Sequence, residues 1–307
     1  MQIRRVGVLG GAGFLGSHVA DLLQMAGNEV EVFDSRELHV DQVAPQKFWH
    51  GTMEDTSILQ QFVTGKDAIF HFAGIADIEG ANIDPTRTMH TNFINTCRIL
   101  QYASDAGVKK FFYASSMYCG GDSGGFYRVS KSCCETFINE FSKQYPIDCQ
   151  ILRIGSVFGP RSGQDNTIFK LLSAALGKRD EQVVYSSKTK RKYLFVLDVA
   201  RVCAELLQRP SSNVKLFSIE GQALYSVQEV GELVGDILGV ADGDHSLVPR
   251  PRFKENNPLH FQQSPYSWFD KTPVSVTPEF FTSFDAGIVA TLKYLTTVWG
   301  SNSADDE

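Results

Sequence analysis

The sequence lacks the features that mark several classes of protein. It has no apolar run long enough to span a bilayer, and its formal charge of -6 offers no attraction for nucleic acid or an anionic membrane. Its first strand begins almost at once, which leaves no room for a signal peptide. These absences predict a cytoplasmic protein whose partners include neither a membrane nor a nucleic acid.

Cysteine and histidine are present, but without the spacing of metal ligands. The seven histidines form no ligand pattern, and the six cysteines are scattered among apolar segments. We therefore predict no metal site, and we expect reduced, buried thiols of the kind found in the cytoplasm. No internal repeat of solenoid length is present either.

A glycine-rich turn dominates the N-terminal region. An apolar, strand-like run over residues 6–9 breaks into this turn, and a helical pattern follows it. The spacing suits a dinucleotide, because one glycine makes the tight turn, one lets the backbone approach a pyrophosphate, and one lets helix and strand pack closely. A turn without a ligand is the alternative interpretation. The residues of the turn that we predict to bind the cofactor are Gly10, Gly13, Phe14, Leu15 and Gly16.

Further cofactor contacts are predicted where the next strands end. Asp34 follows the strand over residues 29–33, about where a carboxylate that binds a ribose is expected. Small residues follow two later strands, and such turns let a ligand approach the backbone. The residues selected at these two turns are Met53, Phe72, Ala73 and Gly74.

Strand-like and helix-like segments alternate through the first half of the chain. This alternation predicts an α/β fold, a Rossmann-type doubly wound parallel sheet with helices on both faces. We predict a cofactor domain over residues 1–160, to which segments near 191–219 return. A smaller, mainly substrate-binding domain is predicted over 161–295, and a flexible tail over 296–307. The longer helical patterns cover residues 85–106, 127–145, 168–176, 199–207, 227–238 and 282–294.

Three polar residues are placed to do chemistry beside the predicted cofactor. Tyr127 and Lys131 are four residues apart on one helix face, and Ser116 stands at the end of the preceding strand. A tyrosine with a pKa of about 10 is a poor base, but a nearby ammonium and a positively charged nicotinamide favour its phenolate. The serine can orient a substrate oxygen and pass on its proton. We predict these three residues as catalytic, with an exposed pair on a helix as the alternative, and we predict that Tyr127 and Lys131 also bind the cofactor.

With these motifs the chain resembles the extended short-chain dehydrogenase/reductases of the NAD-dependent epimerase/dehydratase type, from residue 4 to about residue 295. Asn92 resembles a structural asparagine of that family, and residues 152–160 are similar to the segment that passes from cofactor to substrate. The resemblance implies a nucleotide-sugar substrate and NAD as cofactor. Asp34 would repel the 2′-phosphate of NADP, although Arg36 nearby keeps NADP as the alternative. The resemblance also implies a homodimer built on the helices near 85–106 and 127–145.

The substrate contacts follow partly from the resemblance. Residues 191–200 resemble a segment whose arginine holds the diphosphate of the substrate, which gives Arg191 that role. Ser156 stands where the family often has an asparagine that touches substrate phosphate. Arg250 lies among prolines and is a further candidate for a phosphate contact, because a guanidinium can hold a phosphate with two hydrogen bonds. Together with Ser116, these are the predicted substrate-binding residues.

One departure from the family limits the reaction. The 4,6-dehydratases carry an Asp-Glu pair after the catalytic serine or threonine, and this chain has Met117-Tyr118 there. The decarboxylating branch also uses an acid at that place. The resemblance then implies an epimerase that oxidises a sugar alcohol, at C4, to a keto intermediate and reduces it again.

Three other functions remain as alternatives. The first is a nucleotide-sugar 4-ketoreductase or dehydrogenase, and the second is an NAD-binding sensor without turnover. The third is nucleic-acid binding through the basic run 188–192, which the negative net charge and the lack of interleaved aromatics disfavour. For the lysines of that run we expect a solvated surface.

Overall fold

The computed structural model of the protein describes residues 3–177, 189–211, 215–238, 274–276 and 280–302. The strands are β1 (Arg5–Leu9), β2 (Glu29–Asp34), β3 (Lys47–His50), β4 (Ala68–His71), β5 (Lys110–Ser116), β6 (Asp148–Ile154), β7 (Ser156–Phe158), β8 (Lys190–Phe195), β9 (Leu216–Ile219), β10 (Leu224–Ser226) and β11 (Val274–Ser275). The helices are α1 (Phe14–Met25), α2 (Thr56–Val63), α3 (Ile78–Ile83), α4 (Pro85–Met89), α5 (Asn95–Asp105), α6 (Gly125–Gln144), α7 (Thr167–Ala175), α8 (Val196–Gln208), α9 (Val227–Ile237) and α10 (Phe284–Asn302).

Eight strands form one parallel sheet, in the order β11-β9-β6-β5-β4-β1-β2-β3. Helices cover both faces: α1 and α8 pack on one face over buried Val19, Leu23 and Val199, while α2, α5 and α6 bury a second core on the other. The predicted Rossmann-type doubly wound fold is thereby confirmed. Because all strands run the same way, their carboxyl ends meet at one edge, where ligands bind in such sheets.

A second, three-stranded sheet lies beyond that edge. It has the order β10-β8-β7, and its core with α7, α9 and α10 contains Phe158, Ile168, Val230 and Ile288. The second half of the chain is not confined to this unit, because β9 and α8 belong to the main sheet and its cover. The division into a cofactor domain and a substrate domain stays a prediction.

Some helices differ from their predicted bounds. The segment 85–106 is not one α-helix: a π-helical turn, His90–Ile94, joins α4 to α5. The last helix, α10, continues to Asn302 and so includes the start of the predicted flexible tail, while residues 303–307 lie outside the described ranges. No helix within the described ranges is long and apolar enough to cross a membrane.

Candidate functional site

The glycine turn between β1 and α1 is built from positions that only glycine fits. Gly10 has a φ of 77°, and a Cβ built on it would stand 2.6 Å from the backbone nitrogen of Ala73. A Cβ on Gly16 would collide with the carbonyl oxygen of Gly10. The turn therefore brings bare backbone at the end of β1 against the residues that follow β4, and the start of α1 against the turn itself. This is the close approach that a pyrophosphate at a helix N-terminus requires.

Asp34, at the end of β2, is fixed by backbone hydrogen bonds. Its carboxylate accepts the N–H of Ala12 and the N–H of Arg36, each at 3.0 Å, and the residue is 6% exposed. The Arg36 Nε lies 3.6 Å from the same carboxylate, and the Arg36 side chain is 68% exposed. A ribose at this position would therefore meet an anchored carboxylate with an exposed cation beside it.

A cleft of about 1150 Å³ opens at the carboxyl edge of the main sheet. The predicted catalytic Tyr127 and Lys131 both line it, as does Ser115. The structure thus brings all the predicted cofactor contacts into one cavity with two of the catalytic residues. The predicted cofactor contacts that line the cleft are Gly10, Gly13, Phe14, Leu15, Gly16, Asp34, Met53, Phe72, Ala73 and Gly74.

The three predicted catalytic residues lie together at the start of α6. Tyr127 makes a hydrogen bond with Ser116, and the Lys131 ammonium lies 5.9 Å from the Tyr127 ring centroid. Lys131 Nζ donates a 2.8 Å hydrogen bond to the carbonyl oxygen of Ala114, which fixes the ammonium under the sheet edge. Burial raises the pKa of Tyr127 well above its ordinary value, and the Ser116 hydrogen bond opposes this only in part. Burial also lowers the pKa of Lys131.

Asn92 connects the cleft to the catalytic helix. Its Oδ1 accepts the Ile75 N–H at 2.7 Å, and its Nδ2 donates to the Ser130 Oγ at 3.0 Å. Ser130 Oγ in turn donates to the backbone oxygen of Tyr127 at 2.8 Å. The loop after Gly74 and the first turn of α6 are therefore held in one fixed relation by a buried amide.

A buried ion pair behind the catalytic serine was not predicted. Arg153 on β6 donates two hydrogen bonds, of 2.9 and 2.6 Å, to the Glu135 carboxylate on α6. Ser115 Oγ donates to the same carboxylate at 2.5 Å and lies 3.4 Å from the Cys119 sulfur. Burial raises the pKa of Cys119 to about 11, which keeps this thiol protonated and inert. Glu135 lies one helical turn after Lys131, and that spacing was the only signal the sequence offered.

Tyr118, in the 3₁₀ turn Met117–Gly120 that follows β5, was also missed as a site residue. Its ring packs edge-on against the Tyr127 ring, with centroids 6.2 Å apart and an interplanar angle of 80°. Its hydroxyl accepts a hydrogen bond from the guanidinium of Arg191 on β8. The arginine predicted to hold a substrate diphosphate is thus linked to the catalytic tyrosine through one side chain.

The predicted substrate-binding residues do not all lie together. Ser116 and Arg191 meet through Tyr118, whereas Ser156 begins β7 and pairs in register with Tyr193 of β8. Neither Ser156 nor Arg191 lines the cofactor cleft. Arg250 lies outside the described residues.

The basic run 188–192 is only partly a solvated surface. Lys190 is exposed as expected, but Lys192 Nζ donates a 2.8 Å hydrogen bond to the Glu220 carboxylate, and both side chains are largely buried. Lys188 lies outside the described residues.

The histidine at the end of β4, His71, is buried and hydrogen-bonded to a neighbouring helix, as expected for a structural residue. His71 is 1% exposed and makes a 2.9 Å hydrogen bond with Thr96 Oγ1, and burial lowers its pKa to about 3. Across the described residues, no group of three or more His, Cys, Asp or Glu side chains could hold a metal ion.

Comparison with known proteins places this geometry in a family. A profile of the NAD-dependent epimerase/dehydratase family matches residues 6–219. UDP-glucuronic acid decarboxylase 1 of Xenopus tropicalis is 24% identical over 258 residues, which cover 77% of this chain but only 61% of that relative's own length. UDP-glucose 4-epimerase of Mycolicibacterium smegmatis is 25% identical over 273 residues, covering 79% of this chain and 85% of the epimerase.

A solved structure extends the likeness to the whole fold. MoeE5 in complex with UDP-glucose and NAD superimposes with a TM-score of 0.81, covering 96% of this chain and 99% of that chain, at 20% identity. The family profile covers more than two thirds of the chain and contains the glycine turn, Ser116, Tyr127 and Lys131. The chain therefore belongs to the NAD-dependent epimerase/dehydratase family, as an enzyme of the extended short-chain dehydrogenase type that uses NAD.

Proposed function

We propose that the enzyme is a nucleotide-sugar epimerase, which inverts a sugar alcohol at C4 through a keto intermediate. The observation that carries the proposal is the Ser116–Tyr127–Lys131 arrangement, with no carboxylate in the two positions after Ser116. The Met117 thioether has no titratable group, and burial raises the pKa of Tyr118, so neither residue is a base at neutral pH. Dehydration and decarboxylation lack the acid that they would need at this place.

The residues of the cleft fit NAD. The glycine turn would receive the pyrophosphate, and the anchored Asp34 carboxylate would accept the ribose hydroxyls. When bound, NAD supplies a hydride acceptor that can return the hydride. The positive charge of a bound nicotinamide would oppose the effect of burial on the Tyr127 pKa and favour the phenolate.

The chain's own residues would then manage one proton. Ser116 orients the substrate hydroxyl, and the Tyr127 phenolate accepts its proton while the Lys131 ammonium stabilises the phenolate. The keto-sugar then rotates in the site so that its other face meets the cofactor. The Tyr127 phenol returns the proton to the oxygen at the same carbon. Lys131 keeps its position through the Ala114 carbonyl, so both half-reactions use the same geometry.

Retention of the cofactor distinguishes an epimerase from a ketoreductase, and one feature supports retention. The loop after Asp34 is tied to the glycine turn by the 2.8 Å hydrogen bond from Gln42 Nε2 to the Gly11 oxygen. Buried Arg161 fixes the same loop, because it donates to the Asp41 carboxylate at 3.0 Å and to Asp21 Oδ2 at 2.8 Å. A loop held at two points opposes exchange of the cofactor in every cycle.

The experiment is a product analysis of the purified enzyme with UDP-glucose, UDP-galactose and UDP-glucuronic acid. We expect interconversion at C4 followed by NMR, with enzyme-bound NAD and no added cofactor. Carbon dioxide released from UDP-glucuronic acid would instead establish a decarboxylase. A requirement for stoichiometric added NADH or NADPH would establish a ketoreductase, and bound NAD without turnover of any sugar would favour a sensor.

We also propose a cytoplasmic homodimer that is built on α5 and α6. Phe93 and Phe137 contact each other edge to face at 6.2 Å, both partly exposed, and Phe126 is 42% exposed on the same catalytic helix. All six cysteines are free, which supports a reducing compartment. Sedimentation at micromolar concentration should give the mass of two chains, and a monomer alone would refute the dimer.

A further inference from the structure

Tyr118 connects three parts of the site: Ser116, Tyr127 and Arg191. Its backbone N–H donates to Ser116 Oγ at 3.3 Å, and its ring packs edge-on against Tyr127. Its hydroxyl reaches Arg191, which belongs to the second sheet. Tyr118 thus contacts Ser116 and Tyr127, which would transfer the proton, and also Arg191, the arginine predicted to hold the substrate diphosphate.

The place of the Tyr118 ring is fixed by the start of the catalytic helix. Gly124, with a φ of 102°, leaves the space for it, because a Cβ on that glycine would stand 2.7 Å from Tyr118 Cδ1. The ring is therefore confined between Gly124 and Tyr127, and only its hydroxyl end points away to β8. A ring held this way gives its hydroxyl a defined position.

The phenol acts as a hydrogen-bond partner and not as a base. Burial raises the pKa of Tyr118, although the Arg191 guanidinium acts in the opposite sense. A neutral phenol beside a guanidinium accepts one hydrogen bond and leaves the cation its full charge. The same guanidinium also donates from Nη1 to the Lys190 carbonyl oxygen at 3.1 Å, so the Tyr118 hydroxyl is one of the contacts that orient it. A guanidinium has five N–H donors and can bind a phosphate with two of them.

We propose that Tyr118 is a positioning residue, whose hydroxyl orients the Arg191 guanidinium to bind the diphosphate of a nucleoside diphosphate sugar. The inference rests on the proposed function only in taking a nucleoside diphosphate as the ligand of Arg191. Without the hydroxyl, the guanidinium loses one of the contacts that orient it, and the substrate loses binding energy while Ser116 and Tyr127 keep their hydrogen bond.

The test is a double-mutant cycle on Tyr118→Phe and Arg191→Ala, with UDP as the calorimetric probe on the NAD-loaded enzyme. Tyr118→Phe keeps the ring against Tyr127, so we expect about tenfold weaker UDP binding, the usual worth of a hydrogen bond to a charged group. The double variant should bind UDP no more weakly than Arg191→Ala alone. Tyr145→Phe, which removes a tyrosine hydroxyl at the far end of α6, should leave UDP binding unchanged and serves as the control.

Turnover separates a positioning role from a structural one. For any sugar that the wild type converts, Tyr118→Phe should raise KM about tenfold and leave kcat within about twofold, with unchanged NAD binding. Additive losses in the cycle, UDP binding equal to that of the wild type, or a wild type that does not bind UDP would each overturn the proposal. A wild type that binds UDP with a coupled loss but converts no sugar would refute the epimerase and leave the role of Tyr118 standing.

Discussion

The cofactor side and the substrate side of this site are built by different means. On the cofactor side, the site is formed mainly by backbone groups. The glycine turn is one short stretch of chain, and Asp34 is held by two backbone N–H groups. On the substrate side, side chains from distant segments meet, as Tyr118 and Arg191 do across two sheets. At the glycine turn, even an added Cβ atom would clash with backbone. The substrate side depends instead on a few contacts between pairs of side chains.

The largest effect is expected at the boundary between the two sides. Tyr127→Phe removes the proton-transferring hydroxyl, so kcat should fall by about 10²–10⁴-fold, the usual range for a general base. NAD binding should be unchanged, because the ring and its packing on Tyr118 remain. Steady-state kinetics together with a cofactor titration check this. A variant that turns over normally would remove Tyr127 from the mechanism.

Acid should destabilise the fold through two buried histidines, His18 and His71. Burial holds the pKa of His71 at about 3 and that of His18 at about 4, against an ordinary value of 6.5. Because the unfolded chain binds these protons below pH 6.5 and the folded chain does not, the free energy of unfolding falls as the pH falls. The loss should be about 2 kcal/mol for each histidine between pH 6.5 and 5.

Urea unfolding at pH 7 and pH 5 measures that loss. His71→Gln should reduce the pH dependence by the share of one histidine. His18→Gln should reduce the pH dependence by a similar amount. Equal stability at both pH values would contradict the prediction.

A single methyl group should break the glycine turn. Gly16→Ala drives a Cβ into the Gly10 carbonyl, and overpacking of this kind costs about 1–3 kcal/mol. We expect the loss in NAD affinity, in stability, or in both, as shown by calorimetry and urea unfolding. Gly163→Ala is the matched control for stability, because a Cβ there meets nothing within 4 Å. Equal effects of the two substitutions would mean that the turn is not tightly packed.

The smallest effect concerns the choice between NAD and NADP. Arg36 is largely exposed, and pairs of that kind contribute about 0–1 kcal/mol. Arg36→Ala should therefore change NAD affinity by less than about fivefold. It should weaken any NADP binding more, since the 2′-phosphate would then face Asp34 alone. Titration of both cofactors into both proteins gives the comparison.

What the sequence could predict follows the same division. The main sheet and the cofactor contacts were predictable because strand periodicity and glycine spacing are local patterns, and Gly10 to Gly16 span one turn. Ser116, Tyr127 and Lys131 were found because two of them share one helix face and the third ends a strand. Tyr118 was seen only as a missing acid, since its hydroxyl contact depends on where β8 lies.

Other contacts could not be read from spacing at all. The Glu135–Arg153 pair joins α6 to β6. Lys192 on β8 donates to Glu220, which follows β9. The π-helical turn at His90 also escaped, because one extra residue in a helical turn hardly alters the apolar pattern. Such pairings are set by tertiary packing, which overrides local preference.

The position of β9 in the sheet has a consequence for how the protein is made. β6 receives its outer neighbour only when residues 216–219 arrive, after the whole segment that carries the small sheet strands β7 and β8. A chain emerging from the ribosome therefore exposes the unpaired edge of β6 throughout that interval. Such an edge is a target for chaperones and for wrongly paired strands, and a ribosome stalled before residue 219 should yield an aggregation-prone product.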